Sequence, residues 1–167
     1  MKEERGQFMI KKEYQITDFN ELIGVMNKCD VCTLAVNNGE VPYIIPMNFG
    51  VDVEDENAVL YFHGANHGTK LELFKRNKKV SFEMNCNHCF ILYEEKMTCT
   101  MGYESVIGQG RIEFVPEEEK LKDLRIIMEH YHIGKFDFDK SVLPKVTVYK
   151  LVIENMTGKR RNHARQI

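Results

Sequence analysis

The sequence predicts a mainly β fold, a small antiparallel barrel with helices at its margins. Several segments of strand length are apolar or alternate in polarity, close-spaced turns separate them, and two stretches carry apolar residues at helical spacing. No linker rich in Pro, Gly or Ser and no repeat divides the 167 residues. We therefore expect one domain over residues 1–167, with a short N-terminal extension and a basic C-terminal tail.

The first predicted elements are a helix and a hairpin. Thr17-Asp18 followed by Glu21 is typical of a helix start, and one helical face then carries Phe19, Leu22, Ile23 and Met26. The segments VCTLAVN (31–37) and VPYIIPMNFG (41–50) flank the turn pair Asn38-Gly39, which predicts a β-hairpin. Its second arm should lie at a sheet edge, because Pro42 and Pro46 cannot donate ladder hydrogen bonds.

The remaining elements are mostly strands. They are predicted at AVLYFH (58–63), KVSFEMN (79–85), EKMTCTM (95–101), SVIGQGRIEFV (105–115) and VTVYKLVIE (146–154). A second long helix should open at Pro116, which three glutamates follow. Its predicted apolar stripe is Leu121, Leu124, Met128 and Tyr131.

Composition and charge narrow the function classes. The hydrophobic fraction of 43% and charged fraction of 29% are globular values. The net charge of -2 supplies no field that would attract nucleic acid or an anionic membrane. The apolar runs are far too short for a bilayer span, and the N-terminus lacks the apolar region of a signal peptide. We expect a cytoplasmic protein with no nucleic-acid or membrane partner.

Five cysteines include two CxxC pairs, Cys29/Cys32 and Cys86/Cys89. The pairs are farther apart in sequence than the halves of a zinc ribbon, so reduced, buried thiols are the favoured interpretation and no metal site is predicted. A zinc site from both pairs stays open. So does a local soft-metal site made by Cys86, His88 and Cys89 with a distant ligand such as Cys99.

The segment 61–77 is the part of the sequence that is most informative about function. A strand should end at His63, a loop then holds Gly64 and Gly68, and a helix should start near Thr69. Glycines let backbone N–H groups approach an anion, and a helix N-terminus supplies further donors. Lys70 falls in the first helical turn, where the helix dipole disfavours a cation unless an anion binds beside it. The pattern indicates a phosphate cradle, and a solvated strand-to-helix turn is the alternative.

A second informative segment is YESVIGQGRIEF (103–114). Gly108 and Gly110 weaken a strand unless a large group lies against it or the strand must bend. Ser105 and Gln109 offer neutral hydrogen-bonding groups suited to the polar edge of a heteroaromatic ring. A barrel-corner strand with solvent-facing polar groups is the alternative.

Three motifs in order, PYIIPMNFG, YFHGANHGTK and YESVIGQGRIEFV, together with the helix EKLKDLRIIMEHY, resemble FMN-binding split-barrel proteins related to pyridoxamine 5'-phosphate oxidase. Within that family the chain is most similar to the 5-nitroimidazole-resistance (Nim-type) proteins. The resemblance implies a six-stranded antiparallel split β-barrel that works as a homodimer, with FMN sites at the subunit interface. By position it implies three groups of cofactor-binding residues. Along the isoalloxazine would lie Pro46, Met47 and Asn48. The phosphate would be surrounded by His63, Gly64, Gly68, Thr69 and Lys70. A further contact with the flavin would come from Ser105, Val106 and Gln109.

The resemblance further implies an FMN-dependent oxidoreductase that passes electrons from NADH or NADPH to a small organic acceptor such as a nitroaromatic compound. It assigns no catalytic side chain. The chain departs from the family pattern in two places. Lys11-Lys12 replace an arginine-rich opening, and the chain has no Trp and ends in VYKLVIENMTGKR before its basic tail, so vitamin B6 oxidation is not expected. Two alternatives stay open. One is a non-catalytic flavin store or redox sensor, and the other is a haem-binding protein using His63, His67, His130 or His132.

Overall fold

The computed structural model of the protein describes residues 12–54, 57–132, 134 and 136–161. Lys11 and Arg165, from the predicted terminal segments, lie outside these residues. The described strands are β1 (Gln15–Ile16), β2 (Cys32–Val36), β3 (Tyr43–Met47), β4 (Gly50–Glu54), β5 (Asn57–Ala65), β6 (Lys79–Tyr93), β7 (Thr98–Phe114) and β8 (Val146–Arg161). The helices are α1 (Phe19–Met26), α2 (Thr69–Arg76) and α3 (Lys120–Tyr131), with 3₁₀ turns at Lys12–Tyr14, Glu94–Lys96 and Lys140–Lys145.

The strands form one antiparallel sheet in the order β3-β2-β6-β7-β8-β5-β4, and β1 pairs with the end of β8. Its two edge strands, β3 and β4, are consecutive in the chain, and only Asn48 and Phe49 connect them. Because two residues span only about 7 Å, the sheet must curl until its edges approach each other. This curled sheet with peripheral helices confirms the predicted split-barrel fold.

The strand count is eight in the described residues rather than the six that the resemblance implies. The additional strands are β1, which has only two residues, and β4, which begins at Gly50 inside the segment predicted as the second arm of the hairpin. The two strands predicted at 95–101 and 105–115 form the single strand β7. The two predicted segments meet near Gly102. A Cβ at this position would lie 2.5 Å from Cys89 Sγ on the neighbouring strand, so glycine permits the close approach of the two strands there.

Local signals confirm the first helix and the hairpin. The Asp18 side chain caps α1 by accepting a hydrogen bond from Glu21 N at 2.9 Å. Strands β2 and β3 pair in antiparallel register from Cys32↔Met47 to Val36↔Tyr43. The proline-containing arm is an edge strand, as predicted.

The prediction for the second long helix was partly wrong. Residues 116–119 form a turn, and α3 begins only at Lys120. Its buried apolar residues are Leu124 and Ile127, whereas the predicted stripe member Tyr131 is 42% exposed. The stripe assumed that every apolar position faces the core, but the Tyr131 hydroxyl makes hydrogen bonds at the helix end.

The main core fills the barrel and includes Phe49, Phe62, Phe74 and Tyr149, with α1 packed against it through Leu22, Val25 and Met26. A smaller core lies beneath α3. Three charged side chains are buried among the described residues, Glu104, Lys120 and Asp123. The Glu104 carboxylate is 6% exposed and accepts hydrogen bonds from Lys28, Asn87 and Arg160. No helix among the described residues is long and apolar enough to cross a membrane.

Candidate functional site

The site begins at the turn between β5 and α2, where the sequence predicts a phosphate cradle. Strand β5 continues to Ala65, two residues beyond the predicted end, and α2 starts at Thr69 as predicted. Gly68 occupies the N-cap with φ at 124°, a backbone conformation that side chains with a Cβ rarely adopt. Unlike α1, helix α2 has no side-chain cap among the described residues. Leu71 N donates to the Gly68 carbonyl at 3.1 Å, whereas the N–H groups of Thr69 and Lys70 have no acceptor among the described residues and are available to an external one.

Lys70 folds back from α2 over the end of β5. Its Nζ lies so close to Gly64 that a Cβ on that glycine would be 2.6 Å away. The ammonium also lies 3.6 Å from Met47 Sδ and 6.0 Å from the centroid of the Tyr149 ring. Within the part of the chain that the structure describes, no carboxylate forms a salt bridge with Lys70. Because the side chain is half-buried, desolvation lowers the pKa of this ammonium.

Beneath Lys70 lies a cluster of buried aromatic rings. The fully buried Tyr149 ring stacks on Phe62 with centroids 5.7 Å apart and tilts against Phe74 at 5.2 Å. Its hydroxyl donates to Met47 Sδ at 3.9 Å, and burial raises the pKa of that hydroxyl far above its usual value. The phenol therefore stays protonated and fixes the thioether of β3 beside the lysine.

His63 lies on β5 opposite Val148 of β8. Part of the imidazole is exposed to solvent, yet burial of the rest lowers its pKa, and the nearby Lys70 ammonium lowers it further. At pH 7 the ring is therefore neutral, with one nitrogen able to donate a hydrogen bond and the other able to accept one. His67 is exposed, and its Nδ1 lies 3.2 Å from Asn66 Oδ1.

Of the predicted group at the end of β3, Met47 lies beside Lys70. The Asn48 side chain donates to the Asp30 carbonyl at 3.5 Å, and the roles of Pro46 and Asn48 in cofactor binding stay predictions. Pro46 and Asn48 are exposed. The hydroxyl of Tyr131 supports the connection between β3 and β4, because it accepts from Phe49 N at 3.0 Å and donates to the Asp30 carbonyl at 2.8 Å.

Within one chain, Ser105 and Gln109, from the third group of predicted cofactor-binding residues, lie far from Lys70. On β8, the residue opposite Ser105 is Lys159, 11 positions beyond the Val148 that lies opposite His63. That separation corresponds to about 36 Å along an extended strand. Gln109, opposite Asn155, is seven positions away. The Val106 side chain is fully buried in the barrel core, and its role in cofactor binding stays a prediction.

Sequence reasoning missed two residues of this site, Tyr149 and Tyr131. Both carry a polar group within an apolar pattern, and the pattern alone gives no sign that the hydroxyl reaches another part of the chain. The cysteine pairs lie elsewhere. Cys29 and Cys32 are buried as predicted, and no cluster of three or more His, Cys, Asp or Glu residues in the described ranges could hold a metal ion.

Comparisons with known proteins agree with the geometry. The model of the family described as pyridoxamine 5'-phosphate oxidase matches residues 20–160. A candidate 5-nitroimidazole antibiotic resistance protein from Bacteroides thetaiotaomicron is 31% identical, with a TM-score of 0.76 over 87% of this chain and 85% of that one. No curated protein sequence matches significantly.

Two more distant structures share the fold. The FAD and heme binding protein from Mycobacterium smegmatis is 17% identical, with a TM-score of 0.78 over 90% of this chain and 74% of its own. The flavocytochrome Anf3 from Azotobacter vinelandii is 16% identical, with a TM-score of 0.75 over 92% of this chain and 73% of its own.

Proposed function

This chain belongs to the pyridoxamine 5'-phosphate oxidase family, as its motifs predict, and we propose that it is a flavoprotein that binds FMN. The observation that carries the proposal is the half-buried Lys70 ammonium, which has no carboxylate partner in the described residues and lies beside an uncapped helix N-terminus. A buried cation without a counter-ion is unfavourable, and a bound phosphate dianion would supply the missing charge.

The residues present fit a phosphate group. Lys70 would donate a charge-assisted hydrogen bond, and the first-turn N–H groups at Thr69 and Lys70 would donate further ones. Gly64 and Gly68 carry no side chain that would occupy the same space. The family resemblance implies phosphate binding at these residues, and the sequence pattern independently predicts an anion site at the same turn.

The flavin ring would lie along the end of β3. Pro46 and Met47 offer an apolar surface there, and the exposed amide of Asn48 offers a donor and an acceptor. Bound FMN would supply the electron-transfer chemistry, and the chain would position it and tune its potential. The neutral imidazole of His63 lies beside Lys70 and would hydrogen-bond the cofactor or its substrate.

We also propose a homodimer in which a second copy supplies Ser105 and Gln109 to this flavin, because one chain keeps them far from Lys70. The edge strand β3 supports this arrangement, since Ile44 is 64% exposed and Tyr43 is 37% exposed. An apolar edge strand invites coverage by another chain. Sedimentation at micromolar concentration should give a dimer, and a monomer with FMN bound would contradict the shared site.

The proposed reaction is electron transfer from NADH or NADPH through FMN to a small organic acceptor. The nitroimidazole-resistance description of the 31% identical relative supports a nitroaromatic acceptor. Oxidation of vitamin B6 is not proposed, because the chain has no Trp where the oxidases carry a Trp-containing substrate motif. We place the reaction in the cytoplasm, where the five free thiols would stay reduced.

An absorbance spectrum from 300 to 700 nm tests the cofactor. Purified protein should show flavin bands and release FMN, not FAD, on denaturation. Anaerobic addition of NADH or NADPH should then bleach the flavin, and a nitroimidazole should restore the colour. Bound FMN that neither nucleotide bleaches would instead indicate a flavin store or redox sensor.

Haem binding is the second candidate, because the partly exposed, neutral His63 imidazole is a suitable axial ligand. The names of the two distant structural neighbours include haem or cytochrome. A Soret band that His63→Ala abolishes would support haem, and purified protein reconstituted with haem but showing no such band would exclude it.

A further inference from the structure

Two cysteines from different CxxC pairs meet below the end of α1. Cys29 follows the helix and is 1% exposed, and its Sγ lies 3.3 Å from the carbonyl oxygen of Val25. Cys86, on β6, brings its Sγ to 4.0 Å from the same oxygen. Because both sulfur atoms contact the same carbonyl oxygen, the two thiols lie close to each other. The fold thus brings together thiols that are 57 positions apart in the sequence.

The local backbone would let these sulfur atoms approach further. Cys29 lies in the connection between α1 and β2, outside any ladder of hydrogen bonds. Cys86 lies at the start of a β-bulge, where the pairing register shifts between Cys86 and Cys89. The Val25 carbonyl would not lose its only partner if the thiols moved, because Lys28 N donates to it at 3.0 Å.

The two thiols differ in access. Cys86 is half-buried, and burial raises its pKa; the nearby Glu104 carboxylate raises this pKa further, and the Lys28 ammonium opposes the rise. Cys29 is inaccessible to solvent, and burial raises its pKa strongly. A small oxidant would therefore reach Cys86 first, and Cys29 would react only with a sulfur atom already beside it.

We propose that Cys86 and Cys29 are a pair of thiols that hydrogen peroxide oxidises to a disulfide. Cys86 is the thiol that reacts with peroxide, and Cys29 is the resolving thiol. The Cys86 sulfur attacks hydrogen peroxide, its O–O bond breaks, and water leaves while Cys86 becomes a sulfenic acid. The Cys29 sulfur then attacks the Cys86 sulfur. The S–S bond forms, the S–O bond breaks, and the departing oxygen leaves as water with the Cys29 proton. Two thiols lose two electrons in total, and one peroxide is reduced to two waters.

Peptide mapping of the full chain tests the pair. Reduced protein is desalted without oxygen, treated with one equivalent of hydrogen peroxide, denatured and alkylated. Two of the five thiols should escape alkylation, and one peptide pair should carry a Cys29–Cys86 bond that dithiothreitol cleaves. Five alkylated thiols, or a bond within either CxxC pair, would overturn the proposal.

Two variants sharpen the test. Cys29→Ser should abolish the bond and leave Cys86 as a sulfenic acid that dimedone traps. Cys99→Ser, which removes the exposed thiol, should form the Cys29–Cys86 bond as the unmodified protein does. Loss of the bond in Cys99→Ser, or dimedone on Cys29 instead of Cys86, would refute the assigned roles. The wild-type peptide map decides the pairing even where Cys29→Ser folds poorly.

Discussion

Replacement of Lys70 by Met separates the charge of this side chain from its size. The variant keeps an unbranched chain over Gly64 and removes the ammonium that lies 3.6 Å from Met47 Sδ. In the protein without ligand, the substitution removes a half-buried cation whose pKa burial lowers. The apo variant should therefore unfold at the same temperature as the wild type or at a higher one.

The expected loss of affinity follows from the proposed phosphate contact. A hydrogen bond to a charged group contributes roughly 1.5–3 kcal/mol. Its loss corresponds to a dissociation constant about 10- to 150-fold higher. Because Lys70 is only half-buried and water screens part of its charge, we expect the lower part of that range. Lower affinity with unchanged or higher apo stability is the signature of a ligand-binding charge rather than a structural one.

Quenching of FMN fluorescence on titration with apo-protein measures the affinity. The matched control is Lys75→Met on the same helix, because Lys75 is 62% exposed and pairs with Glu72 at 3.0 Å. That control should bind FMN as tightly as the wild type. If Lys70→Met binds FMN within twofold of the wild type, Lys70 does not hold the phosphate and the site must be assigned elsewhere.

Three further substitutions test the surroundings of the site and the buried charge. Gly64→Ala places a methyl group 2.6 Å from Lys70 Nζ, so the ammonium must move. FMN titration should show several-fold weaker binding, while circular dichroism stays unchanged. Tyr131→Phe leaves the Phe49 N–H without its acceptor, and urea denaturation should show a loss of about 1–3 kcal/mol in unfolding free energy. Burial would raise the pKa of the Glu104 carboxyl, but its hydrogen bonds outweigh burial and lower this pKa. The ionised carboxylate therefore stabilises the fold at pH values above the pKa of the unfolded state, and this contribution is lost as pH falls. Glu104→Gln should lower the melting temperature at pH 7, and the difference should shrink as pH falls below about 4.3, the ordinary pKa of a glutamate in the unfolded chain.

Features set by neighbouring residues could be predicted from the sequence. Asn38-Gly39 predicts the β2–β3 hairpin, although the connecting loop, residues 37–42, is longer than a two-residue turn. The edge position of β3 follows from the missing donors of Pro42 and Pro46. The turn at Gly68 follows likewise, because a glycine between a strand and a helix indicates a positive φ, here 124°.

Contacts across the barrel could not be predicted in the same way. The Met47–Tyr149 contact joins residues 102 positions apart, and it depends on how far the sheet curls. The start of α3 was wrong by four residues, because Pro116 and its glutamates suit the first helical turn but form a separate turn before Lys120. The separation of Ser105 from Lys70 depends on the pairing of β7 with β8, which no local pattern specifies.

Glu104 and Lys70 show how a structural charge differs from a binding charge. Glu104 accepts hydrogen bonds from two cations and an amide, so its desolvation is compensated within the fold. Lys70 has a thioether and an aromatic ring as neighbours, and neither neutralises an ammonium. The chain therefore carries an uncompensated cation at the same place where α2 lacks a cap. Because both deficits would be relieved by one bound anion, they favour a phosphate-binding site at this turn over a solvated one.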